Sequence, residues 1–305
     1  MWSKLGFTLF SFISPLNPLQ QSYNFERARS LHSCANHPDH RQESGLEPTL
    51  NSRRNIIISA VTLSLSTALG SPTCSNAISS QEAESSYNKY ASTYDALDGG
   101  GVADTLGIEE ARTKILNMAT GNVLEIGAGT GLNLSKYTFA SSPTASDGVT
   151  SLTLLDISDG MMSEAKTKLN SLNVPGHVRV NFVKADATQD LTFLFGTNGV
   201  FDTVVDTFSL CVMGSSGAKK CLEQMQNVVK RDSGRIILIE NTRSSNAAIG
   251  FYQDLTADAA ATMGGKGCVS NQNVSGFIAS TNGLELISEE EFAAGLFRSF
   301  ICKRA

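Results

Sequence analysis

The run Val123-Leu124-Glu125-Ile126-Gly127-Ala128-Gly129-Thr130-Gly131 decides the fold. Val123 to Ile126 reads as a short apolar strand interrupted by one acid, and Leu132 to Tyr137 as the helix opened by the turn between them. Glycines let a backbone turn tightly and approach a ligand with no Cβ in the way. The helix that follows presents free N–H groups. A dinucleotide-binding turn needs G-x-G-x-x-G. Here position 132 is leucine and the spacing is G-x-G-x-G. Glu125, two residues ahead, opposes a pyrophosphate and suits an ammonium or sulfonium group. The nucleoside expected at this turn lacks phosphates and carries positive charge, which excludes a nicotinamide oxidoreductase.

Outward from the turn, strands and helices alternate. Ser151 to Asp156 is the second strand, with Ser158 or Asp159 able to cap a helix running to Leu172 before Pro175-Gly176. Val178 to Lys184 is the third strand, Phe201 to Val205 the fourth and Arg235 to Glu240 the fifth. Ala218 to Lys230 carries Leu222, Met225 and Val229 at helical spacing. The pattern predicts an α/β fold: a Rossmann-like, doubly wound, mostly parallel sheet with helices on both faces. Leu284 to Ile287 and Leu296 to Cys302 are separated only by the Glu289–Gly295 segment, too short for a crossover helix, so they should close the sheet as an antiparallel hairpin. Asp156 ends strand two, where an acid can accept both hydroxyls of a ribose. Asp186 follows strand three, within reach of an adenine amino group. With Glu125 these acids should face the crevice at the carboxyl ends of the strands.

Ahead of this body, residues 1–77 read as an address. Arg53-Arg54, an apolar stretch over residues 56–70 and a small-residue exit at Ser75-Asn76-Ala77 resemble a twin-arginine signal. A hydroxyl-containing basic segment precedes them, as in a bipartite organellar leader. Chloroplast and thylakoid are the expected destination ahead of the mitochondrion. Cleavage, or retention of 56–70 as a membrane anchor, are both open. The remaining residues, 78–305, form the expected domain. The leader holds six basic and four acidic residues, which leaves 18 and 25 in the body. That acidic balance offers no footprint for nucleic acid. His32, His37 and His40 are all in the leader. His177 precedes strand three, on the wrong edge of the sheet for the site. No C-x-x-C spacing occurs, so no metal is expected. Cys211 and Cys302 sit in apolar runs as small hydrophobes.

The segment from Tyr87 to Arg304 resembles the class I S-adenosylmethionine-dependent methyltransferases of the type 11 group. The glycine turn carries the likeness, with Asp156-Ile157-Ser158-Asp159-Gly160-Met161, Ala185-Asp186-Ala187, Phe201 to Asp206 and Gly234 to Leu238 in order behind it. Tyr94-Asp95 resembles the N-terminal helix of quinone-ring C-methyltransferases, and Asp206 to Cys211 a mitochondrial inner-membrane branch. The resemblance implies S-adenosylmethionine as cofactor. Glu125, Gly127, Ala128, Gly129, Thr130, Gly131, Asp156, Ile157, Met161, Asp186, Ala187 and Asp206 are then its binding residues. Met161 and Met162 can equally be core, and Tyr87, Tyr90 and Tyr94, on one helix face, either pack or cover the cofactor.

Methyl transfer from a sulfonium is an in-line displacement, much of whose rate comes from positioning. A base is needed only where the acceptor must lose a proton. The candidates are Asp206, Glu240 and Tyr252. Relatives often carry histidine after the strand-five acid, where this chain has Asn241. Asn246 to Thr262 reads as a helix over the crevice and Gly264 to Gly267 as a lid-like loop. The expected acceptor is small or lipophilic, a quinone-type ring among the candidates. The second reading is an organellar assembly factor that keeps the fold without turnover.

Overall fold

The computed structural model describes residues 78–98, 105–197, 199–263 and 267–305. The leader and residues 264–266 of the glycine-rich loop lie outside the described residues. In chain order the elements are α1 (Ser80–Tyr90), a 3₁₀ turn (Ala91–Thr93), α2 (Tyr94–Asp98), α3 (Ile108–Leu116), β1 (Gly121–Ile126), β2 (Val149–Asp156) and α4 (Asp159–Ser171). Then come β3 (Arg179–Lys184), α5 (Thr192–Phe195), β4 (Thr203–Thr207), α6 (Leu210–Val228), β5 (Arg235–Asn241), α7 (Ala247–Met263), α8 (Val274–Ser280), β6 (Leu284–Phe292) and β7 (Phe297–Arg304).

The sheet runs β3-β2-β1-β4-β5-β7-β6. β1 to β5 are parallel, and β7 enters antiparallel between β5 and β6. The expected sheet and terminal hairpin are both present. Apolar runs let the central strands bury both faces. Ile236 and Leu238 of β5 pack with α6 and α8, while Ile237 and Ile239 pack on the opposite side with α3. The strand order reverses between β1 and β4, the point at which open α/β sheets leave a crevice at the strands' carboxyl ends.

Several boundaries differ from expectation, β2 beginning at Val149 and β7 running to Arg304 among them. Leu132 to Tyr137 makes only a 3₁₀ turn, Leu134–Lys136, because Asn133 and Tyr137 turn inward to the Glu125 carboxylate. β4 lies two residues later than expected, at Thr203–Thr207. α6 begins at Leu210, with a break at Gly214 (φ 65°, ψ 176°) that its periodicity from Ala218 did not reveal. β6 continues through Glu289, Glu290 and Glu291 to Phe292, so the hairpin connection shrinks to Ala293–Leu296. Two of those glutamates, Glu289 and Glu291, pair with Arg298 of β7. Charge on this edge strand, with a register shift between Leu286 and Ser288, also discourages further strands from adding.

Candidate functional site

A cavity of about 280 Å³ opens at the switch point. Its floor is made by the ends of four parallel strands. Gly127 and Gly129 come from beyond β1, Asp156 and Ile157 from β2, Ala185 to Thr188 from beyond β3, and Thr207 to Ser209 from β4. Gly127 and Gly129 adopt φ of 60° and 55°. A Cβ on Gly127 would stand 2.4 Å from the Ser209 Cβ, so only glycine lets the two loops meet. A Cβ on Gly129 would meet nothing closer than 3.9 Å, leaving room above this turn for a ligand.

Asp156 holds the floor in place. Its Oδ2 accepts the Gly129 N–H at 2.8 Å and its Oδ1 the Ser158 N–H at 2.8 Å. Burial pushes this carboxyl above its ordinary range, against those backbone donors. Two oxygens offer about four lone-pair sites, so capacity remains for a ribose diol. Asp186 is more open. Burial pushes it up, but hydrogen bonds from Ser80, Thr188 and Gln189 outweigh this and hold it below the usual carboxylate range.

The roof comes from the N-terminal segment. Ser79 caps α1 in a reciprocal box with Glu82. α1 buries no residue, and polar contacts fasten the segment instead. Ser80 Oγ donates to Asp186 Oδ2 at 2.7 Å, and Glu84 pairs with Lys184 at 2.7 Å. Asn88 Oδ1 accepts from Ser158 Oγ at 2.7 Å and from the Gly160 N–H at 2.8 Å. Asp95 accepts from Thr130 Oγ1 and pairs with Lys168, both at 2.5 Å. Between these points Ala83, Tyr87 and Tyr94 line the cavity. Of the three tyrosines, two therefore cover the crevice.

The expected site residues divide into two groups. Gly127, Gly129, Asp156, Ile157, Met161, Asp186 and Ala187 share the cavity wall. Glu125, Ala128, Thr130, Gly131 and Asp206 do not. Glu125 is 2% exposed, with Oε1 taken by Asn133 at 2.9 Å and Oε2 by Tyr137 at 2.8 Å, so it does not face the crevice as expected. Burial, only partly offset by those two bonds, raises its pKa to about 7. Thr130 is turned to Asp95 and Lys168. A Cβ at Gly131 would meet the Leu134 side chain at 2.6 Å, so this glycine serves packing.

None of the three candidate bases lines the cavity. Asp206 and Glu240 are fully buried beneath the Phe208–Ser209 turn. Tyr252 is 40% exposed on α7. His177 sits on the amino edge as expected, its Nε2 3.0 Å from the Ala140 carbonyl. Ser80 and Phe208 are wall residues that sequence reasoning missed. The Ser79-x-x-Glu82 capping box was a signal for the first; nothing in the sequence marks the second.

Residues 123–232 match a protein-family model described as a methyltransferase domain. Among solved structures, an O-methyltransferase family protein from Burkholderia thailandensis aligns with a TM-score of 0.54 at 13% identity, covering 81% of this chain and 70% of its own. A SAM-dependent methyltransferase from Leishmania major gives 0.51 at 16%, covering 73% and 82%. The N-methyltransferase NodS from Bradyrhizobium japonicum WM9, in complex with S-adenosyl-L-homocysteine, gives 0.50 at 15%, covering 73% and 98%. The fold that carries the matched residues is the Rossmann-like fold of these solved methyltransferases.

Proposed function

We propose that this chain transfers the methyl group of S-adenosylmethionine to a small or lipophilic acceptor, with a quinone-type ring as the first class to try. One observation carries the reading: the open face of Gly129, the Asp156 carboxylate and the Asp186 carboxylate surround a single cavity at the switch point. Gly127 and Gly129 would lie along the cofactor, Asp156 would accept from its ribose and Asp186 from its adenine. When bound, the sulfonium supplies an activated methyl group that needs no acid to leave.

The chain's own contribution is positioning and exclusion of water. Tyr87, Tyr94, Phe208, Val212 and Met213 give the wall an aromatic and apolar lining suited to a flat, lipophilic acceptor. Holding acceptor and methyl at near-attack distance can supply roughly 7–11 kcal/mol. Asp206 and Glu240 are too buried to take a proton from an acceptor.

The test is calorimetry of S-adenosylmethionine and S-adenosylhomocysteine on the full chain and on Asp156→Asn. Micromolar binding that the variant loses supports the reading and justifies an acceptor screen that begins with quinols. A folded chain that binds neither ligand overturns it and leaves the assembly-factor reading. We further propose that residues 1–77 are an organellar leader, chloroplast ahead of mitochondrion, and 78–305 the working domain. Residues 56–70 would attach it to a membrane if they are retained. Fractionation with protease protection checks this, and a body protected in the lumen counts against an active enzyme.

A further inference from the structure

Among the described residues, Phe208 is one of three non-glycine residues with positive φ, at 65°, and the only one of them on the cavity wall. A bulky residue persists in that region only where its surroundings over-determine it. The determinants here are two carboxyl groups at the ends of adjacent strands. Asp206 Oδ1 accepts the Ser209 N–H at 3.1 Å and Oδ2 the Ser209 hydroxyl at 2.6 Å. Glu240 Oε1 accepts the N–H groups of Ser209 and Leu210, each at 3.1 Å. The Phe208 N–H itself donates to the Ile239 carbonyl at 2.8 Å.

Glu240 Oε2 is left over. It is buried without a hydrogen-bond partner, and the neighbouring carboxyl is Asp206, whose Oδ1 accepts the same Ser209 N–H as Glu240 Oε1. Two buried carboxylates that converge on one donor repel one another unless a proton lies between them. We propose that Asp206 and Glu240 share a single proton, carried on Glu240, and through it hold the Phe208–Ser209 turn against the cofactor cavity as positioning residues. The proposal rests on reading the cavity as the cofactor site.

Burial and the adjacent Asp206 charge keep Glu240 protonated well above the usual range. Burial raises Asp206 to about 6, against the Ser209 and Glu240 hydrogen bonds. Below that pH a second proton turns an acceptor into a donor that faces donors. The other groups around the pair do not supply the missing hydrogen. Glu125 approaches from β1, and Cys211 and Cys221 from α6. Cys268 meets Cys211 and accepts from Asn241. Arg112 of α3 lies 5.4 Å over the Phe208 ring, and Arg298 of β7 is engaged by Ser275, Glu289 and Glu291.

The experiment uses the full chain and two readouts. Calorimetry of S-adenosylhomocysteine should weaken about tenfold in Glu240→Ala, since Ser209 and Leu210 lose their acceptor. Glu240→Gln, which keeps both a donor to Asp206 and an acceptor for the turn, should restore binding to within about twofold. Asp206→Asn should weaken binding about tenfold and abolish the loss of affinity that the unmodified chain shows as pH falls through about 6. Infrared difference spectra at neutral pH should show a protonated-carboxyl band that disappears in Glu240→Gln. Glutamine as damaging as alanine, or no band lost, overturns the proposal. A chain that does not bind S-adenosylhomocysteine overturns the functional reading instead, and the infrared result still decides the shared proton.

Discussion

The floor and the roof of one cavity are built by opposite means. The floor hangs chiefly from β1, β2 and β4, whose core side chains Leu124, Ile126, Leu154, Val204 and Val205 have no exposure, with the more open β3 at its edge. The roof, Ser80 to Asp98, buries Ala91 but no residue of α1 fully, and is fastened chiefly by polar contacts to Asp186, Lys184, Ser158, Gly160, Thr130 and Lys168. Buried apolar surface is lost only when the fold is lost, whereas exposed polar contacts exchange with water one at a time. The roof should therefore open independently of the floor, as low-stability segments around binding sites do. A ligand enclosed between them could enter without unfolding the sheet.

The strongest way to break this comparison is to damage the floor. Leu238 of β5 is fully buried between α6, α8 and β7. Leu238→Ala should lower unfolding free energy by about 2–5 kcal/mol. Chemical denaturation should show one cooperative transition moved to lower denaturant. A separate early transition in that variant would mean the floor is not a single unit.

Next in size is the pH dependence of the floor. Glu125 has a folded pKa of about 7 against an ordinary 4.5, raised by burial. Its stabilising contribution is complete below about 4.5 and is lost as pH rises through about 7. At pH 8 the buried charge costs on the order of 3 kcal/mol. Glu125→Gln stays neutral, so its melting temperature should match the unmodified chain near pH 5 and exceed it at pH 8. The same variant weighs geometry against the sequence-based expectation. If S-adenosylhomocysteine affinity collapses while melting does not, the carboxylate acts on the ligand after all.

How much was legible follows the same division. The floor was readable because its signals are chemical and local. Apolar runs ended in glycine or an acid, and seven of the expected site residues do share the cavity. The failures lie where a side chain's direction decides. Glu125, Asp206 and Glu240 occupy strand ends as expected, yet each carboxylate turns into the protein, toward Asn133 and Tyr137 or toward Ser209. Sequence position fixes the strand end, but pairing over a separation of 31 residues, as between Glu240 and Ser209, fixes the hydrogen bond. The left-handed Phe208 was unreadable for the same reason, since its residue type argues against the conformation that its neighbours impose.

The roof can be loosened without touching the floor. Asn88 uses one oxygen to accept from both Ser158 and Gly160. Asn88→Ala removes both bonds, and each donor regains water when the roof lifts. Global stability should change by about 1 kcal/mol or less. Hydrogen exchange of the α1 amides should accelerate several-fold while β1 and β4 amides stay protected. Equal acceleration in both regions would mean that roof and floor open together.

The smallest effect is expected at Glu84, and it separates charge from shape. Glu84 pairs with Lys184, which also meets Asp159 at 2.5 Å. These two contacts raise the Lys184 pKa to about 12, led by the Asp159 hydrogen bond and then by that of Glu84, but the group is open to solvent. Solvated ion pairs are screened and contribute little to stability. In Glu84→Gln, Asp159 still engages the lysine and the amide can still accept from it. The melting temperature should not move. α1 exchange should quicken slightly at low ionic strength and converge with the unmodified chain near 1 M salt, where screening reaches about 3 Å. A difference that survives high salt would assign the contact to packing. The roof would then be held as the floor is, and its independent opening would no longer follow.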